Sequence, residues 1–288
     1  MSYQTTLKKV AILSNPKAGN GNSLKTANWL AVSLSDLKID HDIYPENWPA
    51  VEMLSNYSDC WIIGGDGTIN YFINQYPNCK VNLALFDGGT GNDFAWKLYG
   101  DSNLSDRFKQ VIHASPKSID AGKVNNKLYI NCMGVGFDGE IIKSMKAIRF
   151  LGGKLGYMLA VIIKIFNFKE KKFSIQSNET ILKGKYLLLF IVNSSRAGGG
   201  FYIAPNAEVN DGLLNMVLCK SLPIWKRLIY LPIIKAGKHM NLSFVNENIG
   251  TSFKIKCDYD LPIQVDGELI FANEMDVKIL PSQFSFRY

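Results

Sequence analysis

Cys60-Trp61-Ile62-Ile63-Gly64-Gly65-Asp66-Gly67-Thr68-Ile69-Asn70 is an apolar run that breaks off in a glycine turn. Four apolar residues in succession, with no polar alternation, suit a strand covered on both faces. Helical spacing follows the turn directly. Strand, glycine turn and helix in immediate sequence are the local unit of a parallel sheet with helices on its faces. The unit recurs on both sides. Val10 to Ser14 reads as a strand that ends in Asn15-Pro16, with helical spacing from Leu24 to Leu37. Val81 to Phe86 reads as a third strand, followed by Gly88-Gly89-Thr90-Gly91-Asn92-Asp93.

The texture changes near Asp120 to Val124. Lys127 to Cys132, Lys172 to Gln176, Lys185 to Asn193, Leu213 to Leu218, Phe253 to Lys256 and Met275 to Ile279 read as strands. Most are separated by turns rich in Gly, Asn and Asp, which predicts an antiparallel sheet or sandwich. Helical insertions are expected at Gly153 to Phe166 and Ile224 to Lys238. The expected plan is therefore an α/β nucleotide-binding domain with a parallel sheet over 1–123, followed by an antiparallel β-sandwich domain over 124–282. The segment 283–288 is expected to return to the first domain.

In a parallel sheet, ligands bind at the carboxyl ends of the strands. Asn15 to Gly21, Gly64 to Asn70 and Gly88 to Asp93 all fall at such ends. Glycines let backbone N–H groups come close to phosphate oxygens, and helix N-termini add a favourable dipole. Two common phosphate signatures are absent. Leu24 stands where a Walker A loop ending at Lys25-Thr26 needs its last glycine, and no G-x-G-x-x-G follows a strand. Asp66 lies in one glycine turn and Asp93 in another, and Asp120 is expected to close a strand near the domain boundary. Carboxylates beside phosphates point to a bridging divalent cation. The alternative for Asp66 is to cap the next helix.

Composition narrows the partners. The 288 residues carry 32 Lys and Arg against 25 Asp and Glu, a net charge of +7, which suits an anionic ligand or surface. No basic run is dense enough for a nucleic-acid arm, so nucleic acid is not expected as a partner. The five cysteines lack C-x-x-C spacing, and the three histidines lie far apart, against a disulfide framework, a zinc site or a Ser-His-Asp triad. The N-terminal stretch lacks an apolar secretion signal, so a cytoplasmic protein is expected. Tyr157 to Phe168 contains Lys164 and is too short to span a bilayer.

Taken together, these motifs are specific enough for a resemblance. The sequence resembles the diacylglycerol kinase-like lipid kinases, especially soluble bacterial members. That group is related to sphingosine kinases and, more distantly, to NAD kinases and phosphofructokinases. The matching segments are Asn15-Pro16 with Gly19, Gly64 to Asn70, Gly89 to Ala95, and Asp120 with Gly122-Lys123-Val124. They continue with Gly134 to Asp138, Gly153 to Tyr157, Asn210 to Leu214, and Asp266-Gly267-Glu268.

The resemblance implies Mg²⁺-dependent transfer of the ATP γ-phosphate to a lipid hydroxyl, with diacylglycerol giving phosphatidic acid, in a cleft between the two domains. ATP would contact Asn15, Pro16, Lys17, Ala18, Gly19, Gly64, Gly65, Asp66, Gly67, Thr68, Ile69, Asn70 and Thr90. Asp66, Asp93 and Asp120 would organise the Mg²⁺, and Glu268 would be the general base. The bland alternative for Asp266-Gly267-Glu268 is a hairpin turn with an exposed glutamate. A second, structural Mg²⁺ would be held by the Asp211 carboxylate and the carbonyls of Glu208 and Leu213. Asn210-Asp211-Gly212 also reads as a hairpin turn in its own right.

Two positions depart from the family pattern. Trp96 stands where an arginine is usual, and Tyr44 where a threonine that helps hold the nucleotide is usual. Peripheral contact with a membrane surface is expected through Tyr157 to Phe168 and Ile224 to Ile234, whose alternative is simply to pack on the sandwich. A homodimer is among the expected arrangements. The rival readings are an NAD kinase-like small-molecule kinase, indifferent to vesicles, and a catalytically silent nucleotide- or lipid-binding homologue, which binds ATP without turnover.

Overall fold

The computed structural model describes residues 7–15, 22–89, 91–145, 153–177 and 180–288. The chain forms two compact units, Met1–Ile119 with Ser282–Tyr288, and Asp120–Pro281. Both boundaries fall inside strands, so no linker marks them.

The first unit alternates strands and helices. In order they are β1 (Lys9–Ser14), α1 (Asn22–Asp36), β2 (Asp40–Tyr44), α2 (Val51–Leu54), β3 (Asp59–Gly64), α3 (Asp66–Gln75), β4 (Asn82–Asp87), α4 (Asp93–Tyr99), α5 (Leu104–His113) and the start of β5 (Pro116–Val124). The strands pair in the order β4-β3-β1-β2, all parallel. Asp59 to Ile63 of β3 are all buried, as strands covered on both faces should be. Helix α1 buries Ala27, Leu30, Ala31 and Leu34 on one face, the spacing of a core-facing helix. The sequence reading passed over β2, whose Asp-His-Asp-Ile-Tyr has no apolar run because it pairs only with β1, at the sheet edge.

The end of the chain adds a further parallel strand, pairing Ser285 with Asn82 and Phe286 with Leu83. Arg287 there donates to both oxygens of Asp59, at 2.5 and 3.3 Å, and to the Ala114 carbonyl at 2.8 Å. Both charged side chains are almost wholly buried. Removing one partner of such a pair strands a charge without water. Arg287→Ala is therefore expected to lower the unfolding free energy by about 3–5 kcal/mol in urea titration. A loss below about 1 kcal/mol would show that the pair does not secure the terminus.

The second unit contains the rest of β5, β6 (Lys127–Tyr129), β7 (Cys132–Gly136), α6 (Phe137–Met145), α7 (Gly153–Asn167), β8 (Lys171–Ser177), β9 (Thr180–Val192), β10 (Arg196–Ala197), β11 (Phe201–Tyr202), β12 (Leu214–Lys220), α8 (Ile224–Lys235), β13 (Val245–Gly250), β14 (Ser252–Val265) and most of β15 (Glu268–Arg287). Its sheet runs β13-β12-β9, then β7 and β8 end to end, then β14-β15, with every one of these neighbours antiparallel.

Alternation along β9 and β12 sorts the side chains. Leu189, Ile191, Leu214, Met216 and Leu218 join one core cluster with Ile263 and Val277 from β14 and β15. Strands this far apart in the sheet share one core because the sheet curls over its own inner face, as in a sandwich. The opposite faces of β9 and β12 are covered by the β10–β11 segment and by α6, α7 and α8.

Three local expectations change. Strand β5 runs on to Val124, so Asp120 lies inside it rather than at its end. The expected strand over Lys127 to Cys132 breaks between Tyr129 and Cys132, giving β6 and β7. Asn210-Asp211-Gly212 does not join two paired strands, because β12 pairs only with β9 and β13; the turn is tied instead to Asp120.

Candidate active site

The glycine loops after β3 and β4 lie at neighbouring strand ends and touch backbone to backbone. Gly88 N–H donates to the Gly64 carbonyl at 2.9 Å. A methyl group added at Gly89 would sit 2.4 Å from the Gly65 Cα, and one at Gly64 would sit 2.3 Å from the Thr68 hydroxyl oxygen. No side chain fits either place, so the two loops pack closely at these glycines. The loop after β1 joins the same edge. Asn15 Nδ2 donates to the Thr68 hydroxyl at 3.2 Å, and the Ser23 hydroxyl donates to the Asn15 carbonyl at 2.7 Å. Pro16, Lys17, Ala18, Gly19 and Thr90 lie outside the described residues.

Asp66 is the first residue of α3, yet its carboxylate serves the next helix. One oxygen accepts from Asp93 N–H at 3.1 Å and the other from Phe94 N–H at 3.0 Å, at the start of α4. The helix dipole favours a carboxylate in that position. Asn92 holds the approach in a left-handed turn, φ 54°, and its side chain exchanges two hydrogen bonds with Gly89. The structure thus brings Asp66 and Asp93 together, with Asp93 buried. In the Gly64 to Asn70 motif, Thr68, Ile69 and Asn70 face the interior, while Gly67 is exposed. A nucleotide would meet this motif chiefly through its amides and Asp66.

A cavity of about 850 Å³ opens at the same edge, lined by Ser14, Asn15, Trp48, Thr68 and Tyr71 among others. Trp48 is anchored by its indole N–H to the Ser14 carbonyl at 3.2 Å. The sequence reading missed Trp48, since nothing near it signals a ligand. Tyr44 is engaged elsewhere, its hydroxyl 2.6 Å from that of Tyr57, which donates to Asp42 at 2.7 Å. Trp96 lies half-buried in α4.

The remaining candidates belong to the second unit. Buried Asp120 accepts from Gly212 N–H at 2.7 Å, and its own N–H donates to the Val209 carbonyl at 2.8 Å. Asp211 is exposed, and its carboxylate accepts from Leu213 N–H at 3.0 Å, closing its own turn. Glu208, Asp211 and Leu213 therefore share one loop whose register Asp120 fixes. The Asn193 amide donates to the carbonyls of Asp120 and Ile130, at 3.0 and 2.9 Å.

Asp266 and Gly267, with φ 47° and 87°, form the two-residue turn between β14 and β15. Both residues need positive φ there, which is why Asp-Gly occupies the turn. Asp266 is buried, and its carboxylate accepts from the N–H groups of Ile130, Asn131 and Cys132 at 2.7, 3.0 and 2.8 Å. This explains the break between β6 and β7: the strand amides turn to a carboxylate instead of a neighbouring strand. The turn carries Glu268, exposed, on the next position. Asp266-Gly267-Glu268 is thus a hairpin turn with an exposed glutamate.

Asp138, in the first turn of α6, is buried, and burial pushes its carboxyl up to about 7 against an opposing hydrogen bond with Gln264. Its folded value lies above the unfolded one. The stability it contributes is complete below about pH 4 and is lost as pH rises through 7. Asp138→Asn is therefore expected to match the parent near pH 4 and to exceed it by about 2–4 kcal/mol at pH 8. Urea melts at both pH values check this; an equal difference at both would contradict it.

Among the described residues no group of three or more His, Cys, Asp or Glu side chains forms a ready-made metal cage. Mg²⁺ binds through one or two carboxylates together with substrate phosphates and water. Asp66 beside the glycine amides fits such a metal–nucleotide pair.

A glycine-lined, acidic strand-end site on a parallel sheet, joined in one chain to an antiparallel sandwich, defines a class of phosphotransferases. Residues 9–124 match the diacylglycerol kinase catalytic domain, and residues 131–286 match the YegS C-terminal NAD kinase beta sandwich-like domain. The chain belongs to the lipid kinase family that those two domains define. It is 30% identical over 258 residues to a "probable lipid kinase YegS-like" protein of Shewanella frigidimarina, covering 83% of this chain and 82% of that one. A diacylglycerol kinase of Mycobacterium tuberculosis is 24% identical, covering 95% and 93%. The solved structure of a diacylglycerol kinase from Bacillus anthracis shares the fold, with a TM-score of 0.76 at 21% identity over 99% of this chain and 98% of that chain.

Proposed function

We propose that the chain transfers the γ-phosphate of ATP to the free hydroxyl of diacylglycerol, giving phosphatidic acid and ADP. The observation that carries this reading is the Asp66 carboxylate, fixed at the start of α4 among closely packed glycine turns. The amides after β3 and β4, with Asn15 and Thr90, bind the triphosphate. Asp66, Asp93 and Asp120 would hold Mg²⁺ through its waters. Mg²⁺ when bound neutralises charge on the phosphate oxygens. The acceptor oxygen forms its bond to the γ-phosphorus as the bond to the bridging oxygen of ADP breaks, and the acceptor's proton passes to Glu268. The Glu208–Asp211–Leu213 loop takes a second, structural Mg²⁺. The reaction is read as occurring at the cytoplasmic surface of a bilayer.

The test supplies [γ-³²P]ATP and Mg²⁺ with diacylglycerol micelles and NAD together, then separates organic from aqueous products. Label in phosphatidic acid is the expected result. Label in NAD phosphate alone would support the small-molecule kinase reading, and ATP binding without any transfer would support a silent homologue.

A further inference from the structure

Helices α7 and α8 each bury one stripe and expose another. On α7, Ala160, Val161 and Ile165 pack into the core, while Leu159, Ile162, Ile163 and Phe166 are exposed. Those four follow the i, i+3, i+4, i+7 spacing of a single helix face. On α8, Ile224, Trp225, Leu228 and Ile229 are exposed, Trp225 by 58%. Buried Arg227 ties the two helices together. It donates to the Ile165 and Phe168 carbonyls at the end of α7, at 3.1 and 3.0 Å, and to the Leu222 carbonyl before α8 at 2.9 Å. The C-terminal end of α7 therefore lies beside the N-terminal end of α8, and each helix carries an exposed apolar stripe.

Neither helix contains an acidic residue. The acids alongside are neutralised: Glu140 pairs with Lys164 at 3.0 Å and Glu170 with Arg227 at 2.5 Å. Exposed Lys169 follows α7, exposed Lys235 ends α8, and Lys226 lies over the Trp225 ring, 5.4 Å from its centroid. Apolar side chains, an aromatic ring and lysines are the composition of a face that enters the headgroup boundary of an anionic bilayer. Neither helix is long and apolar enough to cross one.

We infer that this α7–α8 patch is the membrane-docking face of the protein, seating Phe166 and Trp225 among the acyl chains of an anionic leaflet. The inference rests on the lipid kinase reading for its purpose, since such an acceptor resides in a bilayer, but it can be tested apart from it. The probe is co-sedimentation with vesicles of phosphatidylcholine alone and with about one-third phosphatidylglycerol. The chain is expected to bind the anionic vesicles preferentially. Ile163→Glu/Trp225→Glu is expected to weaken that binding by about tenfold or more, while Val32→Glu, an exposed apolar site in the first unit, is expected to leave it unchanged.

A short-chain, water-soluble diacylglycerol separates the two claims. The double variant is expected to phosphorylate it at the parent rate while losing activity on vesicle-borne substrate. Parent protein that phosphorylates the soluble lipid but binds no vesicle would overturn the docking face alone. Vesicle binding lost in the double variant, with no phosphorylation of any lipid by the parent, would uphold the face and overturn the kinase reading. A dimer in lipid-free sedimentation velocity that the double variant splits would overturn the inference, because a second copy would then cover the patch.

Discussion

Glu268→Gln is expected to lower kcat by about 10²–10⁴-fold while leaving ADP binding and thermal unfolding unchanged. Glutamine keeps the shape of the side chain and loses its capacity to take a proton. The side chain is exposed, at the position after a two-residue turn, and contributes no buried contact that folding would miss. Its placement depends on Asp266, which accepts three backbone N–H bonds from Ile130 to Cys132. Asp266→Asn puts an amide NH₂ against those donors, so that variant is expected to lose both activity and stability. The two variants separate a chemical role from a positioning one. Equal kcat in Glu268→Gln and the parent would remove that residue from proton transfer.

Asp66→Asn is expected to cost at least about 10³-fold in kcat/KM, since phosphoryl transfer rests mostly on positioning and charge neutralisation. The local geometry makes this substitution harsher than its size suggests. Both carboxylate oxygens accept backbone N–H groups, from Asp93 and Phe94. An amide at this position turns one acceptor into a donor facing a donor, and it removes the negative charge from the start of α4. Two losses then separate by magnitude. Stability is expected to fall by about 1–2 kcal/mol, the range for a lost helix cap. Turnover should fall much further. Isothermal titration with Mg²⁺ and ADP tests the binding share; unaltered affinity together with unaltered turnover would exclude Asp66 from the site.

The features that were legible in the sequence are those with strong local causes. Continuous apolar runs gave β1, β3 and β4, because strands buried on both faces have no polar alternation to obscure them. Helical spacing marked α7 and α8 closely because their apolar content is high. Edge strand β2 and helix α6 were not legible. The first carries charged residues because it is half exposed, and the second opens on Gly136-Phe137-Asp138, which reads locally as a turn.

The candidate site was legible as residue types and not as partnerships. Asp66 could be singled out from its glycine turn, but its hold on α4 depends on β3 and β4 lying side by side. Asp120 could be noticed as a carboxylate, yet its bond to Gly212 spans 92 residues of chain. Asn193, and the bonds that Asp266 accepts, emerge only from such long-range pairings. No local propensity encodes them, because their partners are backbone groups supplied by distant strands.

The most direct test is Mg²⁺-dependent formation of phosphatidic acid from ATP and dioleoylglycerol in mixed micelles, with the parent beside Asp66→Asn and Glu268→Gln. The expected result is labelled phosphatidic acid from the parent, abolished by chelating the metal and reduced by at least about a hundredfold in either variant. A parent that labels no lipid under these conditions, or variants that label lipid as fast as the parent, would contradict the account.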